Sequence, residues 1–171
     1  MNRKLISIIH VLTLITTLIN LVFLIEITRN PDLRDFLYFN KELPSNYSNL
    51  EKIHMQEVKI LFIVSLVVNM GLLFLTKKYY RLINFKLTGY LLLIFSSLVV
   101  LFSLISFQSF FTNFHLLIFN SSNWLLPSNS ILIQTYPLSY FKNLTLIIFG
   151  ILVLMAIFMI KFKNIDVIKN I

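Results

Sequence analysis

The chain has 171 residues, 57% of them hydrophobic and only 13% charged, with a net charge of +8 and a mean hydropathy of +0.83. An ordinary water-soluble domain is nearer half apolar with about a quarter of its residues charged, so these values exclude that class. There is no cysteine, which removes a disulfide framework, a thiolate nucleophile and the Cys-x-x-Cys pair of four-helix membrane disulfide oxidoreductases.

The first apolar stretch, Leu5–Ile27, follows Asn2-Arg3-Lys4. It is too long for the apolar part of a signal peptide and no small-x-small cleavage site follows it, so it reads as an uncleaved anchor. His10 lies within it with no other ionisable group nearby, which points to packing or to a hydrogen bond with a neighbouring helix. Asn30-Pro31-Asp32 then signals a turn, 32–39 a short amphipathic helix, and Pro44-Ser45-Asn46 a break. Ser48-Asn49-Leu50-Glu51 matches a capping box, so the next helix begins near Leu50, outside the membrane. Its apolar part, Val58–Leu75, is the second stretch. Glu51, His54 and Glu57 recur at i+3 spacing, which puts both acids within reach of the imidazole.

The third apolar stretch is Leu87–Phe107, and its helix extends to about Phe119. After it come two turns, Asn120-Ser121-Ser122-Asn123 and Pro127-Ser128-Asn129-Ser130, and then Ile131–Tyr136, which reads as a short strand or extended segment ended by Pro137. The fourth stretch is Leu144–Ile160. Each of the four is close to the roughly 17–25 residues that cross a hydrocarbon core of about 30 Å, and backbone amides in lipid bond internally, so each is expected to be a helix.

Charge sets the expected orientation. Arg3, Lys4, Lys77, Lys78, Arg81, Lys86, Lys161, Lys163 and Lys169 fall on one side, opposed only by Asp166. On the other side, Arg29, Arg34, Lys41, Lys52, Lys59 and Lys142 are balanced by Glu26, Asp32, Asp35, Glu42, Glu51 and Glu57. The positive-inside rule makes the first side cytoplasmic. The basic balance is thus explained by topology and makes no case for nucleic acid. The expected fold is an all-α membrane protein in one domain, 1–171: four transmembrane helices, both termini cytoplasmic, and a small extracellular cap of short helices and extended segments from 28–57 and 108–142. Neither external piece is long enough to form a core alone.

Two histidines, His54 and His115, lie just beyond the outer ends of the second and third stretches. Each has a plain reading, as a helix-surface residue paired with an acid or as an interfacial anchor among aromatics. Each also has a functional one, as a general acid or base near neutral pH. A His-Glu-His set without metal-site spacing is a weak metal signal, no Gly-x-Ser-x-Gly elbow is present, and nothing calls for a cofactor. A non-catalytic membrane assembly or lipid-binding protein remains the alternative to an enzyme.

Leu43-Pro44, Glu51, His54-Met55 and Glu57-Val58-Lys59 are followed by Phe114-His115, Phe119-Asn120, Trp124, Pro127, 131–134, Pro137 and Tyr140-Phe141. In this order, at these span ends, the chain resembles the lipoprotein intramolecular transacylase family of bacterial membrane proteins. Glu57 stands where the family pattern has aspartate, and Ser130 where an aspartate follows the proline.

The resemblance implies an acyltransferase acting at the outer leaflet of the cell membrane. It would move the sn-2 acyl chain of a diacylglyceryl lipoprotein onto the α-amino group of the same lipoprotein's N-terminal cysteine, giving the lyso-form without an acyl-enzyme. It implies His54 and His115 as the catalytic pair; from their spacing, Glu57 or Glu51 is expected to orient His54 and so support it. The expected substrate cavity is walled by Phe111, Phe114, Phe119, Trp124, Tyr136 and Tyr140. Lys59 with Arg29 or Arg34 is expected to hold the substrate or the cap.

Overall fold

The computed structural model describes residues 2–161, and these contain helices and no strand. Lys163, Asp166 and Lys169, which enter the charge argument, lie outside the described residues. Helix α1 runs Arg3–Thr28, α2 Pro31–Tyr38, α3 Asn49–Lys78, α4 Phe85–Ile118, α5 Ile131–Thr135 and α6 Leu138–Lys161, with one 3-10 turn at Tyr80–Leu82. Four of them, α1, α3, α4 and α6, are long and apolar enough to cross a membrane.

Helix starts follow local chemistry. The side chains of Asn2, Asn30, Asn84 and Ser130 each accept an amide of the first turn of α1, α2, α4 and α5, replacing partners that helix geometry leaves out. The capping box of α3 is complete: Ser48 Oγ accepts the Glu51 amide and Glu51 Oε2 accepts the Ser48 amide at 2.8 Å. The extended segment expected over 131–136 is instead α5. Ser130 Oγ accepts the Ile133 amide and starts a single helical turn there, so a local hydroxyl overrides the β-branched bias of Ile131 and Ile133.

Helices α4 and α6 share the main apolar interface, built with α1 around Val11, Ile15, Leu92, Ile148, Leu152 and Ala156. They approach closely at Gly89, where an added Cβ would come within 2.9 Å of the Ala156 carbonyl oxygen and 2.8 Å of Ile160 Cγ1. Gly89→Val is therefore expected to destabilise the bundle by about 1–3 kcal/mol through overpacking. Thermal unfolding in detergent reads this directly, and an unchanged midpoint would mean that α6 shifts freely.

The α1–α3 interface is polar. The Thr13 and Thr76 hydroxyls meet at 2.9 Å, Asn69 Nδ2 donates to Thr16 and Thr17 Oγ1 at 2.7 and 2.9 Å, and Ser65 Oγ donates to Asn20 Oδ1 at 2.8 Å. At the basic end the Asn84 amide donates to Ser7 Oγ. Hydroxyl and amide pairs of this kind join helices where lipid gives no hydrophobic drive for association. His10 packs edge-on against Phe85, and its buried Nδ1 has no hydrogen-bond partner among the described residues.

The segments expected to form the cap pack on each other. Leu33, Phe36, Leu43, Tyr47, Met55 and Leu132 make a second apolar cluster over the start of α3. Two polar ties lock it. Glu51 Oε1 accepts the Leu132 amide at 2.9 Å, and Lys59 Nζ donates to the Phe36 carbonyl and to Asn40 Oδ1, both at 2.8 Å. Helix α4 breaks at Ser106 (φ −153°, ψ 85°). Its buried face nonetheless continues across the break, from Leu92, Ser96, Val99 and Ser103 to Phe107 and His115.

Candidate active site

The capping box fixes the N-terminal end of helix α3, so His54 stands one turn into a well-formed helix, four residues before the hydrocarbon-length stretch that starts at Val58. His115 lies in the last turn of α4, eight residues past Phe107, on the continued buried face. The two rings approach with centroids 6.3 Å apart and planes inclined at 36°. His115 is buried, and the His54 side chain is only 13% exposed.

Four of the expected cavity residues gather here. Phe111 stands 4.0 Å from the His115 ring, Trp124 5.0 Å and Phe114 5.5 Å. Phe119 packs against both histidines, 5.2 Å from His54 and 5.5 Å from His115. Tyr136 and Tyr140 are placed differently. They pack on each other and, with Glu26, Arg29, Asn30, Pro31 and Thr135, line a separate cleft of about 310 Å³. There the Tyr140 hydroxyl donates to Glu26, and burial pushes the Tyr140 phenol well above its usual range. Phe141, against both Phe111 and Tyr136, joins this cleft to the histidine cluster.

The two acids also part company. Glu51 is 2% exposed and spends both oxygens on backbone amides, Ser48 on one and Leu132 on the other. Burial raises its pKa, but the amides of Leu132 and Ser48 outweigh this and hold the carboxyl below its ordinary value. Glu57 faces His54, with Oε2 3.8 Å from Nδ1. Its other oxygen accepts Ser121 Oγ at 2.7 Å and Asn123 Nδ2 at 3.0 Å. Ser121 and Asn123 join the candidate site although the sequence marks them only as turn formers; their partner is more than sixty positions away, and no local pattern marks it. Lys59 ties α3 to Phe36 and Asn40, while Arg34 and Arg29 pair with Asp35 and Glu26.

His115 Nδ1 lies 2.8 Å from the Phe111 carbonyl. A carbonyl only accepts, so Nδ1 carries the proton, and Nε2 of the neutral ring bears the lone pair. Burial lowers the pKa of His115, partly offset by that carbonyl. Burial also lowers that of His54, with the neighbouring His115 acting in the same direction and Glu57 opposing. Both rings are thereby held neutral near pH 7, the form a general base requires.

Three buried polar atoms here have no hydrogen-bond partner among the described residues: His54 Nδ1, Glu57 Oε2 and Trp124 Nε1. The arrangement can take up protons at two neighbouring imidazoles inside an apolar wall. A family model described as lipoprotein intramolecular transacylase Lit matches residues 31–141, which include both histidines, Glu57 and Trp124. Neither a comparison with curated proteins nor one with solved structures found a match.

Proposed function

The chain belongs to the lipoprotein intramolecular transacylase family, a bacterial membrane acyltransferase family acting on lipoproteins, and from this we propose that it moves the sn-2 acyl chain of a diacylglyceryl lipoprotein to the α-amino group of that lipoprotein's own N-terminal cysteine. The reaction takes place at the outer leaflet of the cell membrane, with both termini of the chain in the cytoplasm. The observation that carries the proposal is the approach of two imidazoles, ring centroids 6.3 Å apart, one faced by a carboxylate and both walled by aromatic rings.

The protons balance across this pair. His115 Nε2 removes one proton from the α-ammonium, and the freed amine attacks the ester carbonyl, forming the N–C bond while the carbonyl electron pair moves onto oxygen. His54 takes the second proton from the attacking nitrogen, its cation stabilised by Glu57. The tetrahedral intermediate collapses, the bond from carbon to the glyceryl oxygen breaks, and protonated His115 delivers its proton to that oxygen. His54 then releases its proton to water. Nucleophile and ester belong to one molecule, so no acyl-enzyme is required. The aromatic wall acts by holding the substrate folded, an orientation effect that supplies much of the acceleration in intramolecular reactions.

The purified chain in liposomes with a diacylglyceryl lipopeptide tests this. The product should have unchanged mass, with fragmentation showing one acyl chain on nitrogen. Absence of transfer by folded protein would overturn the assignment. Glu57→Gln keeps an acceptor for Ser121 and Asn123 but removes the charge facing His54. It should slow transfer roughly tenfold, the equivalent of one pKa unit of lost support, and move the acid limb assigned to His54 to lower pH. A variant as fast as the parent, with an unmoved limb, would remove Glu57 from the mechanism.

A further inference from the structure

We propose that the indole N–H of Trp124 is the donor that holds the substrate's ester carbonyl and stabilises the oxyanion formed on it. This rests on the transacylase reading above and assigns a task that the histidines leave open. His115 has its Nδ1 proton committed to the Phe111 carbonyl. Its Nε2, and the base function of His54, are occupied in moving protons. The carbonyl oxygen therefore needs a donor that keeps its proton throughout, and an indole N–H does so.

Trp124 offers such a donor beside the histidine pair. Its Nε1 is buried without an acceptor among the described residues, and its ring lies 5.0 Å from that of His115. Buried donors are nearly always paired, and leaving one unpaired costs about 1–3 kcal/mol. Here the unpaired donor shares the site with two further unpaired atoms, His54 Nδ1 and the acceptor Glu57 Oε2. The substrate brings the complement of donor and acceptor: an ammonium that donates and a carbonyl that accepts. The loop carrying Trp124 is anchored at that same carboxylate, since Asn123 Nδ2 and Ser121 Oγ both donate to Glu57 Oε1. Indole and carboxylate are thus set relative to one another before substrate arrives, the condition for electrostatic preorganisation. In the attack step the carbonyl electron pair moves onto the oxygen facing the N–H, and it returns when the bond to the glyceryl oxygen breaks.

Trp124→Phe preserves the aromatic body and deletes the donor. Its kcat should fall about 10²–10³-fold, the range for one lost oxyanion donor, with KM for the lipopeptide within about threefold of the parent. A second variant carries 3-benzothienylalanine at position 124, which has the shape of indole with sulfur in place of N–H. It should reproduce the kcat loss with an unchanged thermal midpoint. Retention of parental kcat by the benzothienyl variant, or a loss confined to KM, would overturn the proposal and leave Trp124 as wall alone. If the parent itself transfers no acyl chain, the transacylase reading falls and this role falls with it; a parent that is active beside an equally active benzothienyl variant removes only the donor role.

Discussion

Purified His54→Ala and His115→Ala proteins should each transfer the acyl chain about 10²–10⁴-fold more slowly than the parent, the usual share of positioned acid–base groups. The double variant should be scarcely slower than either single one. Each ring handles a proton that the other has made available or must complete, so removing one idles both, and effects within such a unit do not add. Fold should survive. His115 makes one side-chain hydrogen bond, to a carbonyl of its own helix, and His54 makes none closer than its 3.8 Å approach to Glu57. Thermal midpoints measured beside the rates separate the two effects. Full activity in either single variant would break the two-histidine mechanism while leaving the family assignment intact.

Glu51→Ala should act in the opposite manner, through the fold. The substitution strips its partner from the buried Leu132 amide, at about 1–3 kcal/mol for a group left unpaired, and removes the capping bond to the more exposed Ser48 amide. For a chain of this size each kcal/mol shifts the thermal midpoint by roughly 2–4 °C. The long helices should persist, so far-UV helicity changes little while the 28–57 and 119–137 segments become open to protease. The carboxyl is held below its ordinary pKa in the folded chain, so its stabilising contribution is complete above the unfolded value near 4.5 and fades as pH falls below it. A parental midpoint and protease pattern would show that the Leu132 tie contributes nothing.

The contrast between these two residues shows where sequence reading reaches and where it stops. Both acids flank His54 at i+3, and helical spacing alone treats them alike. What separates them is tertiary: an amide at Leu132 claims Glu51, and a loop hydroxyl and amide claim Glu57. The spans and the Ser48–Glu51 box were legible because each depends on residues within a few positions of one another. The meeting of His54 with His115 was anticipated from matching depth, whereas the detachment of Tyr136 and Tyr140 toward Glu26 was not, since the contact joins residues 114 positions apart. The break at Ser106 has no proline or glycine to announce it. The resemblance read from the His-Met and Phe-His elements agrees with the family that the chain matches over 31–141.

The polar α1–α3 seam bears on reaction geometry at a distance. His54 rides on α3, whose long partner is α1, while His115 rides on α4, which packs along α6 and α1. Helix α1 is thus the common ruler against which both imidazoles are set in height. Leucine faces slide past one another at little penalty in lipid, but the Thr13–Thr76, Asn69–Thr16/Thr17 and Ser65–Asn20 pairs are indexed positions. Slipping by one helical turn, about 5.4 Å, would mismatch all three at once and carry His54 nearly the full width of the gap that separates it from His115. The seam works as a detent, fixing the separation of the two imidazoles from within the bilayer.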